Sequence, residues 1–172
     1  LEASVIRTPP PGWVFNSAYR DDYESGLDRT NSVAGVAAYI RSKRARAQGS
    51  AALFQVIDAE PHRGKRLRVS AMLKSATVED SAGVFVDVAD GEGVLLFDTI
   101  SQLTLRGTNG WARHAVVFDV PDNEAEITIG FALKGSGAVW ADDFAFDVVD
   151  SGVPVTARLL KSPTSPRVED PK

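Results

Sequence analysis

Four polar or aromatic side chains stand within stretches that otherwise alternate like β-strands: Gln55, Arg68, Phe85 and Asp87. An amide, a guanidinium and a carboxylate can hydrogen-bond the polar groups of a small ligand, and an aromatic ring can stack on its apolar face. We therefore take these four residues as the first candidate ligand-binding set.

A structural role is the alternative for the same residues. Arg68 and Asp87 could form an ion pair across neighbouring strands, and Gln55 could satisfy a buried backbone group, because buried polar groups usually have partners. Both interpretations remain open at the level of sequence.

The aromatic residues provide a second set of candidates. Tyr23 lies in a polar segment and Trp111 follows a glycine-containing turn, so we expect both at the rim of the fold, where they could bind a ligand. Trp13 and Trp140 lie in strand-like stretches, where an isolated aromatic residue is more often part of the core.

Charge and hydropathy exclude several classes of partner. The net charge is −4 and the isoelectric point is near 5.2, which argues against a nucleic-acid-binding protein or a polybasic membrane-surface protein. A basic stretch at 41–46 has no interleaved aromatic residue that could stack on bases. No apolar run approaches the roughly 20 residues that cross a bilayer. We therefore expect no nucleic acid and no membrane span.

No motif for catalysis is readable. The chain has no cysteine and only two histidines, His62 and His114, and neither belongs to a recognisable triad. There is no G-x-S-x-G, H-E-x-x-H or Walker-type sequence. We expect a protein that is not an enzyme, although carboxylates from distant strands could still be brought together.

Short runs of β-branched and aromatic residues alternate with turn residues along most of the chain, which is typical of an antiparallel β-sandwich or barrel. We expect strands near residues 13–17, 33–40, 50–58, 65–74, 82–89, 94–99, 112–119, 126–133 and 138–148. A helical turn is expected around Arg20 to Ser25, and the 41–48 stretch could be a charged loop or one helical turn.

The length of 172 residues predicts one domain with two extended ends. We expect an extended segment at 1–12, the domain at 13–150 and a proline-rich tail or linker at 151–172, in which Val155 to Leu160 could pair as an edge strand. Because residue 1 is Leu, we expect a processed product or a fragment of a longer protein. Cytoplasmic and exported locations are both compatible with the sequence.

Several segments together resemble a widespread bacterial jelly-roll domain of the galactose-binding-like kind, which includes many carbohydrate-binding modules. The resemblance extends from about Trp13 to Val149 and is carried by Phe54-Gln55-Val56-Ile57, Arg63 to Ala71, Ala82-Gly83-Val84-Phe85, Leu96-Phe97-Asp98, Gly107-Thr108 with Trp111, and Val139 to Phe144. It implies an all-β, antiparallel jelly-roll sandwich and a non-catalytic binding module for a carbohydrate or another small polar ligand on the concave sheet. Phe85 and Asp87 stand where that group is expected to carry Trp and Arg.

The resemblance also implies a structural calcium ion, with Asp142 or Asp143 as a ligand and Asp28 as a partner. Neighbouring carboxylates on a regular strand point to opposite faces, so we do not expect Asp142 and Asp143 to chelate together. No other cofactor is expected.

Two further functions remain open. The chain could be a structural or protein-interaction domain of a larger bacterial protein, with a protein partner. It could also be a glycan-active enzyme, which would need two carboxylates about 5–10 Å apart across a cleft.

Overall fold

The computed structural model describes residues 5–6, 9–98 and 102–157. The described part contains ten strands, with short 3-10 turns at Arg20–Asp22 and Glu60–His62. The strands are β1 (Val5–Ile6), β2 (Val14–Asn16), β3 (Tyr23–Asp28), β4 (Ala37–Ser42), β5 (Ser50–Asp58), β6 (Arg66–Asp90), β7 (Leu95–Asp98), β8 (Leu105–Asp119), β9 (Ala125–Lys134) and β10 (Ala138–Val149). The expected all-β, antiparallel jelly-roll sandwich is confirmed.

The 25-residue strand β6 passes through both layers of the sandwich. Its first part pairs with β10 and β8, and its second part pairs with β9 and β7. The pairing with β8 shifts register between Leu73 and Ala82, where β6 turns from one layer to the other. We call the layer that contains β3, β4, β10 and β8 layer A, and the layer that contains β2, β5, β9 and β7 layer B.

Alternation along β6 explains the core between the layers. Side chains at every second position point inward and are buried, as the period of two in a β-strand requires. The inward set on β6 is Leu67, Val69, Ala71 and Leu73 in layer A and Val84, Val86 and Val88 in layer B. The intervening side chains point outward from their layers, so two polar positions on β6 can lie on opposite outer faces of the molecule.

The segment around Tyr23 is a strand rather than the expected helical turn. Only Arg20–Asp22 forms a 3-10 turn, and Tyr23–Asp28 then pairs with β4. The buried polar positions Ser25 and Asp28 obscure the apolar alternation of this strand in the sequence. The 41–48 stretch contains no helix, because β4 runs to Ser42 and bends follow it.

Tyr23 is buried in the core, with 1% of its surface exposed, so its expected position at the rim is wrong. Its hydroxyl donates toward two carbonyl oxygens, those of Gly49 at 2.6 Å and Gly135 at 2.8 Å. Burial raises the pKa of this phenol to about 12. Tyr23 therefore ties two loops at one end of the sandwich and is not available to a ligand.

The two ends of the described chain both contact the sandwich. Val5 and Ile6 pair with β3, within the segment expected to be an extended approach. At the other end, the backbone N–H groups of Thr156 and Ala157 donate to the carbonyl of Val117 on β8. Residues 158–160 of the expected edge strand lie outside the described residues.

Gly130 on β9 marks a close contact between strands of layer B. A Cβ atom at this position would lie 2.1 Å from the carbonyl oxygen of Leu53 and 2.8 Å from Cα of Phe54. The close approach of the β5 backbone therefore leaves no room for a side chain at Gly130.

We expect Gly130→Ala to lower the free energy of unfolding by about 2–4 kcal/mol, because the added methyl meets backbone atoms that cannot rotate away. Chemical denaturation followed by tryptophan fluorescence measures the change. Gly110→Ala is the matched control, since a Cβ atom there meets nothing within 4 Å. Equal unfolding midpoints for the two variants would contradict the close contact.

Candidate functional site

A depression of about 400 Å³ lies on the outer face of layer A. Its floor is a row of three small residues, because Ser70 on β6 pairs with Ala115 on β8 and with Ala145 on β10. Residues that pair across strands share a face, so three short side chains leave open space above the sheet. We call this depression the Arg–Asp groove; its lining residues are Arg68, Ser70, Arg113, Ala115, Ala145 and Asp147.

One wall of the groove is an ion pair between β6 and β10. Arg68 and Asp147 are register partners, and their guanidinium and carboxylate groups lie 3.8 Å apart. Both side chains are about half exposed, at 43% and 51%. At this exposure the pair contributes little to stability but leaves both groups open to a ligand.

The opposite wall is formed by Arg113 and Asp143. The guanidinium of Arg113 donates to the Asp143 carboxylate and to the Asp143 carbonyl oxygen at 3.3 Å. It also donates to the hydroxyl of Ser70 at 3.0 Å, in the floor of the groove. Three acceptors therefore hold Arg113 in place.

A β-bulge places Asp143 in this wall. The register of β10 against β6 shifts between Asp142 and Ala145, and Asp143 adopts a φ of +50°, a conformation that residues other than glycine rarely adopt. The expectation that Asp142 and Asp143 point to opposite faces is wrong, because both carboxylates bond on the outer side of layer A. A strained residue of this kind is often found at a functional site.

The buried carboxylate of Asp142 organises the loop at 29–36. One of its oxygens accepts the backbone N–H groups of Val33 at 2.7 Å and Ala34 at 2.8 Å. The other accepts the N–H of Asp143 at 2.7 Å. Asp142 therefore connects the loop to the bulge that carries the groove wall.

Asp28 holds the beginning of the same loop. Its carboxylate accepts the backbone N–H groups of Thr30 and Asn31, the side-chain amide of Asn31 and the indole N–H of Trp140. Burial alone raises the pKa of Asp28, but these bonds outweigh burial and lower it. Lys74 completes the contact, with its ammonium 5.8 Å from the centre of the Trp140 ring and 3.0 Å from Asn31 Oδ1.

These two aspartates do not fit the expected calcium site. N–H donors approach the carboxylate oxygens of Asp28 and Asp142, whereas a calcium site needs oxygens directed at the ion. Within the described ranges, no group of three or more His, Cys, Asp or Glu residues is arranged to hold a metal. The donor set fits a loop clamp, and calcium at Asp142 stays a prediction.

The first candidate set does not converge. Arg68 lies in the groove, but Phe85 and Asp87 follow the turn of β6 into layer B and face outward there, with Phe85 only 2% exposed. Gln55 shares its strand face with the buried Leu53 and lies beside Gly12. The alternative pair of Arg68 with Asp87 is also wrong, since Arg68 pairs with Asp147.

Trp111 is the second predicted residue near the groove. It is half-buried and lies two positions before Arg113 on β8, so alternation puts it on the same face. The sequence alone does not predict that Ser70, Arg113 and Asp147 line one site, because only the strand pairing shows that they are neighbours. The alternation of Arg68, Ser70 and Met72 opposite a core face was the available signal.

We expect Asp142→Ala to lower the free energy of unfolding by about 1–3 kcal/mol, because three backbone N–H groups lose their acceptor. Hydrogen exchange of the Val33 and Ala34 amides should become faster in the same variant. Asp147→Ala is the matched control on the same strand, with an expected change below about 0.5 kcal/mol because its ion pair is exposed. Equal effects of the two variants would contradict the clamp.

Comparison with curated proteins gives one relative from Bacillus subtilis (strain 168), the uncharacterized HTH-type transcriptional regulator YbfP. The two are 34% identical over 177 residues, which cover 98% of this chain. The chain spans about 60% of the length of that relative. No protein-family model matches.

Solved structures with the same fold include carbohydrate-binding modules. The CBM22-1 xylan-binding domain of Paenibacillus barcinonensis Xyn10C aligns with a TM-score of 0.59 and 11% identity, over 84% of this chain and 91% of that domain. TmCBM61 in complex with β-1,4-galactotriose aligns with a TM-score of 0.51 and 13% identity, over 87% of this chain and 97% of that one. The enzymatically active domain of bacteriophage CBA120 tailspike protein 4 aligns with a TM-score of 0.58 and 15% identity, over 81% of this chain but 20% of that one.

These similarities establish the fold. The chain has the jelly-roll sandwich fold of the carbohydrate-binding modules, as the resemblance of its segments predicts. Among the described residues, no helix has the length and apolarity needed to cross a membrane.

Proposed function

We propose that the chain is a non-catalytic binding module and that its ligand, a carbohydrate, binds in the Arg–Asp groove. The observation that carries this proposal is the row of three small residues between two arginine–aspartate pairs on an open sheet face. The floor gives room for a flat molecule, and the walls supply donors and acceptors on both sides of it.

The chemistry of the walls suits neighbouring hydroxyl groups. A carboxylate accepts two hydrogen bonds and a guanidinium donates several in a fixed plane, which matches adjacent sugar hydroxyls. Each arginine is already held by an aspartate, so little ordering is needed when the ligand binds. Trp111, which shares a strand face with Arg113, offers an aromatic ring that can stack on the apolar face of a sugar ring.

The balance of charge favours a neutral ligand. Arg68 and Arg113 stand against Asp143 and Asp147, so the four groups sum to no net charge. An anionic ligand would have to displace the aspartates from the arginines. A neutral saccharide can bridge them instead, and the xylan-binding domain and the β-1,4-galactotriose complex that share this fold support this class of ligand.

The carboxylates of the groove are poorly placed for glycoside hydrolysis. A glycoside hydrolase needs one carboxyl group that can donate a proton and a second one facing it across the sugar. Here Asp143 and Asp147 are both engaged by arginines. The groove is therefore better suited to holding a glycan than to cleaving it.

We expect glycan-array screening of the purified chain to give saccharide binding, and calorimetry with xylohexaose and β-1,4-galactotriose to measure its strength. Arg113→Ala should lower the affinity for the best-binding saccharide by about tenfold or more, because it removes charge-assisted hydrogen bonds. Ala145→Leu should abolish binding by filling the floor.

Val56→Leu is the control for Ala145→Leu. It places a leucine side chain on the exposed outer face of layer B, away from the groove, and should leave binding unchanged. The proposal fails if no saccharide on the array binds. It also fails if Arg113→Ala and Ala145→Leu bind as tightly as the unaltered chain.

We also infer that this module is the ligand-sensing part of a longer transcriptional regulator, because its relative is a regulator of the helix-turn-helix type that is longer than this chain. Such regulators place a recognition helix in the major groove of DNA. The described residues form strands and two 3-10 turns, so DNA contact would belong to another segment. A sensing module would then act through protein contacts, as the protein-interaction alternative requires.

We expect the 172-residue chain alone to give no retardation of duplex DNA in a gel-shift assay at low salt, given its net charge of −4. The longer relative from Bacillus subtilis, tested on its own promoter region, is the positive comparison. Salt-sensitive retardation by the chain alone would contradict the assignment of DNA binding to another segment.

A further inference from the structure

A second cavity, of about 250 Å³, lies beside β8 at the free edge of layer A. It is bounded by residues 102–104, by β6 where it enters layer B, and by the C-terminal segment at Thr156. Its lining residues are Ala82, Gly83, Val84, Gln102, Leu103, Thr104, His114, Ala115, Val116 and Thr156.

The floor of this cavity is apolar and buried. Ala82, Val84 and Val116 are each less than 9% exposed. The Leu103 side chain packs against Gly83 at one side, where a Cβ atom would come within 3.2 Å of it. An apolar surface of this size suits the face of one small ring.

His114 is the distinctive polar group of the cavity. Its register partner is the core residue Ala71, so the imidazole points toward the space between the layers. Burial lowers its pKa, which leaves the ring neutral at pH 7 with one donor and one acceptor nitrogen. In the described part of the chain, the imidazole has no hydrogen-bond partner.

The rest of the polar lining is uncharged. Gln102 and Thr104 are exposed and present an amide and a hydroxyl, and none of the described lining residues carries a charge. A charged ligand would find no counter-charge here. An uncharged ligand with several hydroxyl groups would find partners around an apolar floor.

The C-terminal segment closes one side of the cavity and is itself firmly attached. Val117 accepts the N–H groups of Thr156 and Ala157, and its own N–H donates to the Thr156 hydroxyl at 2.9 Å. Arg66 donates to the carbonyl oxygens of Ser151 at 3.0 Å and Val153 at 2.6 Å. A ligand in the cavity would therefore touch the C-terminal segment at Thr156.

We propose that this cavity is a second binding site, which takes one uncharged molecule of the size of a single sugar ring and hydrogen-bonds it through His114. Its volume lies below the roughly 300–1,000 Å³ of usual small-molecule pockets, so a single ring fits and an oligosaccharide does not. The site adjoins the Arg–Asp groove at Ala115, which lines both, but its other lining residues differ and it does not depend on the function proposed for that groove.

The two histidines of the chain allow a direct test by NMR. Long-range ¹H–¹⁵N spectra resolve His114 from His62, whose ring contacts Phe146 and serves as the internal reference. The chain is titrated separately with D-glucose, D-galactose, D-xylose and myo-inositol up to about 20 mM, a range that detects millimolar affinity. At least one of them should shift the His114 resonances saturably and leave those of His62 in place.

Two variants separate this site from the groove. His114→Gln should lower the affinity for the sugar identified by NMR by at least about tenfold, as measured by calorimetry. Asp147→Ala, which alters the wall of the groove on β10, should leave the ligand-induced shift of His114 unchanged, so a failure of the groove would not affect this result. The proposal is overturned if none of the four compounds moves His114 selectively, or if sodium acetate produces the same saturable shift.

Discussion

The arrangement of the outer face of layer A depends on one buried carboxylate. Asp142 accepts three backbone N–H groups, two from the 29–36 loop and one from Asp143. Because β10 bulges at this point, Asp143 leaves the regular alternation and meets Arg113. The loop, the bulge and one groove wall are therefore parts of one hydrogen-bonded unit, and a carboxylate that is only 8% exposed holds them together.

A second constraint is the continuity of β6. A single strand supplies Arg68 and Ser70 to the outer face of layer A and Phe85 to the outer face of layer B. The turn between the layers sends these side chains in opposite directions. Polar residues that look equivalent in the sequence of β6 therefore lie on different outer faces of the molecule. Only those before the turn can line the groove.

Local pattern was sufficient for much of the fold. Alternation and turn residues predicted most of the strands, because burial of one face imposes a period of two that the sequence must show. Strand β3 was missed because Ser25 and Asp28 are buried there through hydrogen bonds and mask the apolar pattern. Buried polar groups of this kind follow from tertiary partners, which local sequence does not contain.

The candidate site was harder to predict than the fold. Arg68 and Trp111 were identified as single residues, but the groove exists because Ser70, Ala115 and Ala145 become neighbours when three distant strands pair. Asp143 adds a further difficulty, since its position depends on a bulge and a positive φ that its residue type does not predict. Register and bulges set which side chains share a face, and both are properties of the assembled sheet.

The two cavities differ in shape and in lining, and neither has a net charge. The groove is open along a sheet face and lined by balanced charges, whereas the edge cavity is smaller and closed by the C-terminal segment. A crystal structure of the chain with the best-binding saccharide from the array tests carbohydrate binding in the groove most directly. We expect ligand density above Ser70, Ala115 and Ala145, with hydroxyl groups bonded to Arg113 and Asp147. Density over Phe54 and Thr128 on the outer face of layer B would contradict binding in the groove.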